Sequence, residues 1–97
     1  MTSNFKTSVK GAESWRIIVD NLQTRLPNSD NEVKFSKNIN GILKVRYIIS
    51  AITGTDVVIT YECIDSAGKN YSDASKPSPH TKTIPGSNRT EITLNIK

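Results

Sequence analysis

Few residues of this chain have side chains that could do chemistry. It contains one cysteine, Cys63, and one histidine, His80, which is fewer soft ligands than a structural zinc site needs. Cys63 ends the alternating run 57–63, which predicts a small buried side chain rather than a reactive thiol. His80 follows Pro79 in a proline-flanked stretch, which predicts a solvated loop residue rather than a catalytic base. A lone cysteine also cannot form an internal disulfide.

The usual catalytic motifs are missing from the sequence. It has no glycine-rich phosphate loop, no Gly-x-Ser-x-Gly and no His-Glu-x-x-His. The oxygen-rich segment 28–32 does not have EF-hand spacing, and Asn, Asp and Ser also populate ordinary turns, so calcium binding there is left open. We therefore predict a protein that is not an enzyme and has no cofactor.

The positive charge of the chain raises the hypothesis of a polyanionic partner. Thirteen lysines and arginines against nine acidic residues give a net charge of +4. The candidate footprint is Lys34, Lys44 and Arg46, which alternation places on one face. Nucleic-acid sites interleave aromatic rings with such cations, but Phe35 and Tyr47 point to the opposite face. We therefore do not expect a nucleic-acid partner.

The apolar runs are short. The longest, 17–19 and 57–59, fall far below the roughly 18–20 residues that a membrane-spanning helix needs, so we expect a soluble chain with no transmembrane segment. The first six residues lack the charged-then-apolar order of a secretory signal. The sequence leaves the localisation unassigned.

The composition favours strands. Isoleucine and valine together number eighteen, against nine for leucine, alanine and methionine combined. Branched side chains lose rotamer freedom in a helix but pack well on a pleated sheet. A chain of 97 residues has room for one core, so we predict a single, mostly β domain over residues 1–97.

Three glycines mark turns of one kind. Gly41, Gly54 and Gly68 each stand third in a short break between strand-like runs, which is typical of a three-residue hairpin loop whose last residue has positive φ. The sequence therefore predicts an antiparallel four-strand meander at 32–38, 42–51, 55–65 and 69–75.

The hairpin loops imply a register. With these loops, apolar residues fall opposite apolar residues in most positions, whereas a two-residue loop at Gly41 would place Phe35 opposite Arg46. The predicted cross-strand pairs include Phe35–Val45, Tyr47–Ile59, Lys44–Glu62, Ile48–Val58, Asp65–Lys69 and Cys63–Tyr71. The predicted core face carries Val33, Phe35, Leu43, Val45, Tyr47, Ile49, Val57, Ile59 and Tyr61.

The remaining segments must cover this core face. Residues 90–97 alternate cleanly and predict a C-terminal strand, and residues 5–9 predict a weaker one. Segment 13–26 is rich in β-formers around Trp15, although its apolar spacing also fits a helix that ends before Pro27. We predict an antiparallel β-sandwich of about seven strands, with an α+β fold carrying a helix near 13–26 as the alternative.

One short segment is similar to a known fold. Tyr61-Glu62-Cys63 resembles the Tyr-x-Cys of an immunoglobulin F strand, and residues 65–69 are similar to the closing hairpin of bacterial immunoglobulin-like repeats. The chain has no second cysteine and no Asp-x-Gly before the tyrosine. The resemblance implies an immunoglobulin-like sandwich but assigns the chain to no family.

Function is expected to lie in loops and exposed sheet. The segment 75–88 contains three prolines and predicts an exposed crossing to the last strand, and such loops often carry binding function. We predict a non-catalytic recognition module for a protein or glycan. The candidate binding residues are Lys69, Tyr71, Asp73, Lys76 and His80.

Two other functions stay open at this point. A structural or self-assembling protein would join subunits through an Ile48/Val58 face or a free sheet edge, giving a homo-oligomer. A small inhibitor or effector acting on another protein would carry the same sequence features.

Overall fold

The computed structural model describes residues 2–97, which form eight strands and, within that range, no helix. The strands are β1 Thr2–Lys10, β2 Ser14–Val19, β3 Gln23–Arg25, β4 Glu32–Asn38, β5 Leu43–Ser50, β6 Asp56–Asp65, β7 His80–Thr83 and β8 Arg89–Ile96. The all-β prediction is confirmed. The predicted strands 32–38, 42–51, 55–65 and 90–97 agree with β4, β5, β6 and β8 within one residue at each end.

Segment 13–26 is a hairpin rather than a helix. It contains β2 and β3, and Val19 of β2 pairs with Gln23 of β3. Between them Asp20 and Asn21 have φ of 50° and 60°, a left-handed conformation that Asp and Asn tolerate better than most residues. The helical alternative for this segment is therefore wrong.

The strands form two four-stranded antiparallel sheets. The first sheet has the order β4-β1-β6-β7, and the second has the order β3-β2-β5-β8. Both sheets turn one apolar face inward, and a common core lies between them. The predicted β-sandwich is therefore confirmed, with eight strands rather than about seven.

The pairing predicted within the meander is wrong. β4 pairs with β1, β5 pairs with β2 and β8, and β6 pairs with β1 and β7. The turns at Gly41 and Gly54 have the predicted positive φ, but each carries the chain from one sheet to the other. Consequently Ile48 and Val58 lie in different sheets and form no common patch. The pairs Phe35–Val45, Tyr47–Ile59 and Lys44–Glu62 are absent for the same reason.

The third turn follows its predicted register, but the strand after it does not form. The Asp65 amide donates to the Lys69 carbonyl at 3.0 Å, and the Tyr71 amide donates to the Cys63 carbonyl at 2.9 Å. No strand spans 69–75, because beyond Tyr71 the backbone bonds to side chains rather than to the backbone of β6. The Asp73 amide, for example, donates to the Tyr61 hydroxyl at 3.1 Å. The strand β7 pairs with the N-terminal part of β6, from Asp56 to Ile59.

The core contains most of the residues predicted for it. Of the predicted face, every residue except Phe35 is buried, and Phe35 is half-buried against the core. Alternation predicted the correct inward face, because a strand buries the same side whether the next strand along the chain lies beside it or in the opposite sheet. Trp15 closes one end of the core, where its indole N–H donates to Asn31 Oδ1 at 2.6 Å.

Candidate functional site

Lys69 and Tyr71 lie together at the end of β6. The Lys69 ammonium is 5.2 Å from the centre of the Tyr71 ring, and the Tyr71 hydroxyl donates to Asp65 Oδ2 at 2.8 Å. The other oxygen of Asp65 accepts the amides of Ala67 and Lys69. The Lys69 amide, followed by the Tyr71 hydroxyl, lowers the pKa of Asp65. These bonds hold the turn in one shape and leave the lysine exposed.

Asp73 is occupied by bonds within the chain. It is only 6% exposed. One carboxylate oxygen accepts the Asn95 amide at 2.9 Å, and the other accepts both the amide and the hydroxyl of Ser75. The Asn95 bond, followed by the Ser75 hydroxyl, lowers the pKa of Asp73 to about 2. The observed role of this carboxylate is to hold the segment that follows β6 against β8.

Lys76 and His80 lie farther along the same crossing. The Lys76 carbonyl accepts the Tyr61 hydroxyl at 2.8 Å, and its side chain is half-buried. His80 begins β7 and pairs with Ile59, so it belongs to a short strand rather than to the predicted loop. The five predicted binding residues thus follow one edge of the sandwich. Within the set, the Lys69 ammonium contacts the Tyr71 ring, and the Lys76 amide donates to the Asp73 carbonyl at 3.0 Å.

The residues considered for other chemistry have structural surroundings. Cys63 is a free thiol, 1% exposed, and burial raises its pKa. In the oxygen-rich segment, Asn28 Oδ1 accepts the amides of Asp30 and Glu32, which is ordinary turn bonding. Across residues 2–97 no three histidine, cysteine or acidic side chains cluster as a metal site would require.

The two outer sheet faces differ in charge. On the first sheet, the outward positions of β1, β4 and β6 carry three cations and three anions. They are Lys6, Lys10, Lys34, Glu32, Asp56 and Glu62. Lys6 pairs with Glu62 across the β1–β6 ladder, and the Lys34 ammonium is 3.5 Å from Glu32. This face is therefore electrically balanced.

The outward positions of the second sheet are strongly positive. The strands β2, β5 and β8 carry four cations and a single anion, Glu91. We call the four cations the basic face: Arg16, Lys44, Arg46 and Arg89. These outward strand positions thus carry a net charge of +3, and Asp20, directly after β2, adds a carboxylate whose Oδ1 accepts the Lys44 amide at 3.0 Å.

The register sets the layout of the basic face. Arg16 lies opposite Ile48, and Ile48 lies opposite Glu91. Arg46 Nε is 3.6 Å from one Glu91 oxygen, and an Arg89 nitrogen is 3.7 Å from the other. A single carboxylate therefore neutralises two guanidinium groups only in part. Ile48, the apolar centre of this face, is 7% exposed.

Exposed apolar side chains adjoin the same sheet. Leu22 and Leu26 flank β3, Ile42 precedes β5 and Ile52 follows it. Leu22, on the turn between β2 and β3, is 85% exposed. Arginine is enriched at protein-binding surfaces, and the same sheet also has these exposed apolar side chains at the ends of its strands.

Sequence reasoning identified only part of the basic face. It selected Lys44 and Arg46 but grouped them with Lys34, which lies on the other sheet. Arg16 and Arg89 were not selected. Their outward position in the alternation of 14–19 and 89–96 was a usable signal, but the false meander placed neither strand beside β5.

The structure offers no membrane-spanning helix: over residues 2–97 no helix is long and apolar enough to cross a bilayer. Comparisons of the chain with models of known protein families, with curated proteins and with solved structures find no match.

Proposed function

We propose that this chain is a non-catalytic recognition module that binds an acidic protein or an anionic glycan through its basic face. The observation that carries the proposal is the difference between the two outer faces, one with three cations and three anions and the other with four cations and one anion. A pure solubility role for the charge would not require it to lie on one sheet.

The side chains of the basic face suit anionic groups. Three of the four are arginines, whose planar guanidinium groups bind carboxylates, sulfates and phosphates with two parallel hydrogen bonds. Alternate residues of a strand lie about 7 Å apart, so Lys44 and Arg46 present cations at that spacing along β5. An extended acidic chain laid along β5 would meet both of them in turn.

The same surface serves the related functions considered above. An inhibitor or effector that acts by binding would use the basic face without further chemistry. No catalytic step is proposed, because Cys63 is too deeply buried to reach a substrate and His80 lies in a β-ladder. The candidates Lys69, Tyr71, Asp73, Lys76 and His80 stay a predicted second contact region along the neighbouring edge.

Calorimetric binding to two defined probes tests the proposal. The probes are heparin, a sulfated glycan, and poly-glutamate, an acidic polypeptide. The test variant is Arg16→Gln/Arg46→Gln. The matched control, Lys6→Gln/Lys34→Gln, removes the same charge from the balanced face.

At least one probe is expected to bind the wild type, more weakly as salt is added. The test variant should lose about tenfold or more in affinity, which corresponds to about 1.4 kcal/mol, while the control changes by less than about twofold. Equal losses in the two variants would show that only net charge matters and would overturn the proposal. Failure of both probes to bind the wild type would also overturn it.

A further inference from the structure

The second sheet ends in a strand with one open edge. β8 pairs with β5 along its whole length and has no strand partner on its other side among residues 2–97. The Asn95 amide points to that outer side, since it donates to Asp73 there. Because backbone groups alternate direction along a strand, those of Glu91 and Thr93 also point outward.

Only part of this edge is covered. At the C-terminal end, the Asn95 amide bonds to Asp73 Oδ2 at 2.9 Å and the Lys97 amide bonds to the Ser72 carbonyl at 3.2 Å. The covering segment ends there. Beside the N-terminal half lies an open groove of about 370 Å³, lined by Ser87, Arg89, Thr90 and Glu91. The fold thus covers the C-terminal half of the edge, and in the N-terminal half the Ser87 hydroxyl donates to the outward Arg89 carbonyl at 3.1 Å. The groove leaves the rest of the N-terminal half accessible.

We propose that this half-edge takes β8 of a second copy of the chain. The two strands would run antiparallel about a two-fold axis at Thr90, so that Arg89 of each copy lies opposite Glu91 of the other. Each such pair can exchange both backbone hydrogen bonds of an antiparallel ladder if the Arg89 carbonyl, which already accepts the Ser87 hydroxyl, accepts the second copy's amide through its other lone pair. An exposed edge strand is a ready template for a strand of this kind.

Two observations select this register. Pairing centred on Glu91 would place like charges directly opposite one another, which is unfavourable. Pairing centred on Ile92 would bring Arg89 of the second copy to Asn95, where Asp73 already occupies the edge. Centring on Thr90 limits the pairing to residues 89–91 of each copy, because the chain before Arg89 forms a turn in which the Asn88 amide donates to the Pro85 carbonyl, and it places opposite charges together. Charge complementarity and available space therefore both favour the register centred on Thr90.

The dimer goes beyond the proposed function and does not depend on it. A two-fold axis through the sheet edge would turn the outer faces of both second sheets to the same side. The two basic faces would then form one continuous surface, so that a long anionic partner could engage both at once with increased avidity.

Sedimentation velocity from micromolar to millimolar protein tests the dimer, in about 0.15 M salt, where repulsion between the copies is screened beyond about 8 Å. The variants are Arg89→Glu and Glu91→Arg, both at exposed positions. Each variant alone places like charges opposite one another in the proposed register. An equimolar mixture of the two restores opposite charges.

The wild type is expected to approach twice the monomer mass at high concentration, each variant to stay monomeric, and the mixture to form a heterodimer. Recovery in the mixture would also show that both variants are folded. A wild type that stays monomeric at millimolar concentration overturns the dimer, as do variants that associate like the wild type. Either result leaves the probe-binding test of the basic face unaffected, since that test is read on monomer and probe.

Discussion

The hydroxyls of Tyr47 and Thr7 lie 2.5 Å apart inside the sandwich and join its two sheets. Thr7 also donates to the Thr60 carbonyl at 2.8 Å, so its single proton is committed and Tyr47 must be the donor between the pair. Burial raises the pKa of Tyr47, which keeps its proton in place. This bond is a polar link across a mostly apolar core.

We predict that the two residues are energetically coupled. Tyr47→Phe should lower the free energy of unfolding by about 1 kcal/mol. Thr7→Val should lower it by about 2 kcal/mol, because the buried Tyr47 hydroxyl would be left without an acceptor. The double variant should cost less than the sum of the two, by about 1 kcal/mol. Urea unfolding of the four proteins measures this, and strictly additive losses would contradict the hydrogen bond.

Gly11 should tolerate no side chain. It connects β1 to β2 with φ of +92°, and a Cβ there would lie 2.8 Å from the Asp56 carbonyl oxygen. Gly11→Ala should therefore destabilise the protein by about 2 kcal/mol. Gly86→Ala is the control, because a Cβ at Gly86 meets no atom within 4 Å. The melting temperatures of the two variants should differ clearly, and equal values would contradict this account.

Asp73 should make stability depend on acid pH. Its pKa is lowered to about 2, below the value of about 3.9 for an unfolded aspartate. The folded state therefore binds the proton less readily, and the stabilisation is fully present above pH 4 and is lost as the pH falls from about 4 to about 2.

The measurement is the free energy of unfolding across this pH range. Asp73→Asn should be less stable than the wild type at pH 5 and should show a shallower loss between pH 4 and pH 2. Asp30→Asn, at an exposed turn position, serves as the control and should follow the wild type. Parallel curves for the wild type and Asp73→Asn would contradict the assigned role.

Local patterns in the sequence predicted local structure well. The alternation around Tyr47 and Ile59 identified the buried face, and the glycine of each break took the expected φ. These features depend on neighbouring residues alone. The pairing of strands does not, because Phe35 and Val45 bury the same side whether they lie in one sheet or in two.

The basic face could not be predicted for that reason. Its members lie on three strands, and only the observed order β2-β5-β8 places the strands of Arg16 and Arg89 on either side of the strand of Arg46. The prediction of binding residues after β6 was limited by long-range hydrogen bonds that the sequence does not show. The sequence indicates that Asp73 is an exposed polar residue. In the structure its carboxylate is buried and accepts the amide of Asn95, which is distant in the chain.

The central claim is that the basic face is the binding surface. An NMR titration that follows backbone amide shifts tests it most directly, with heparin or poly-glutamate as the probe. We predict that the largest shifts fall on the outward residues of β2, β5 and β8, led by Arg16, Arg46 and Arg89. Shifts concentrated on the balanced face around Lys6 and Lys34, or along 69–80, would contradict the claim.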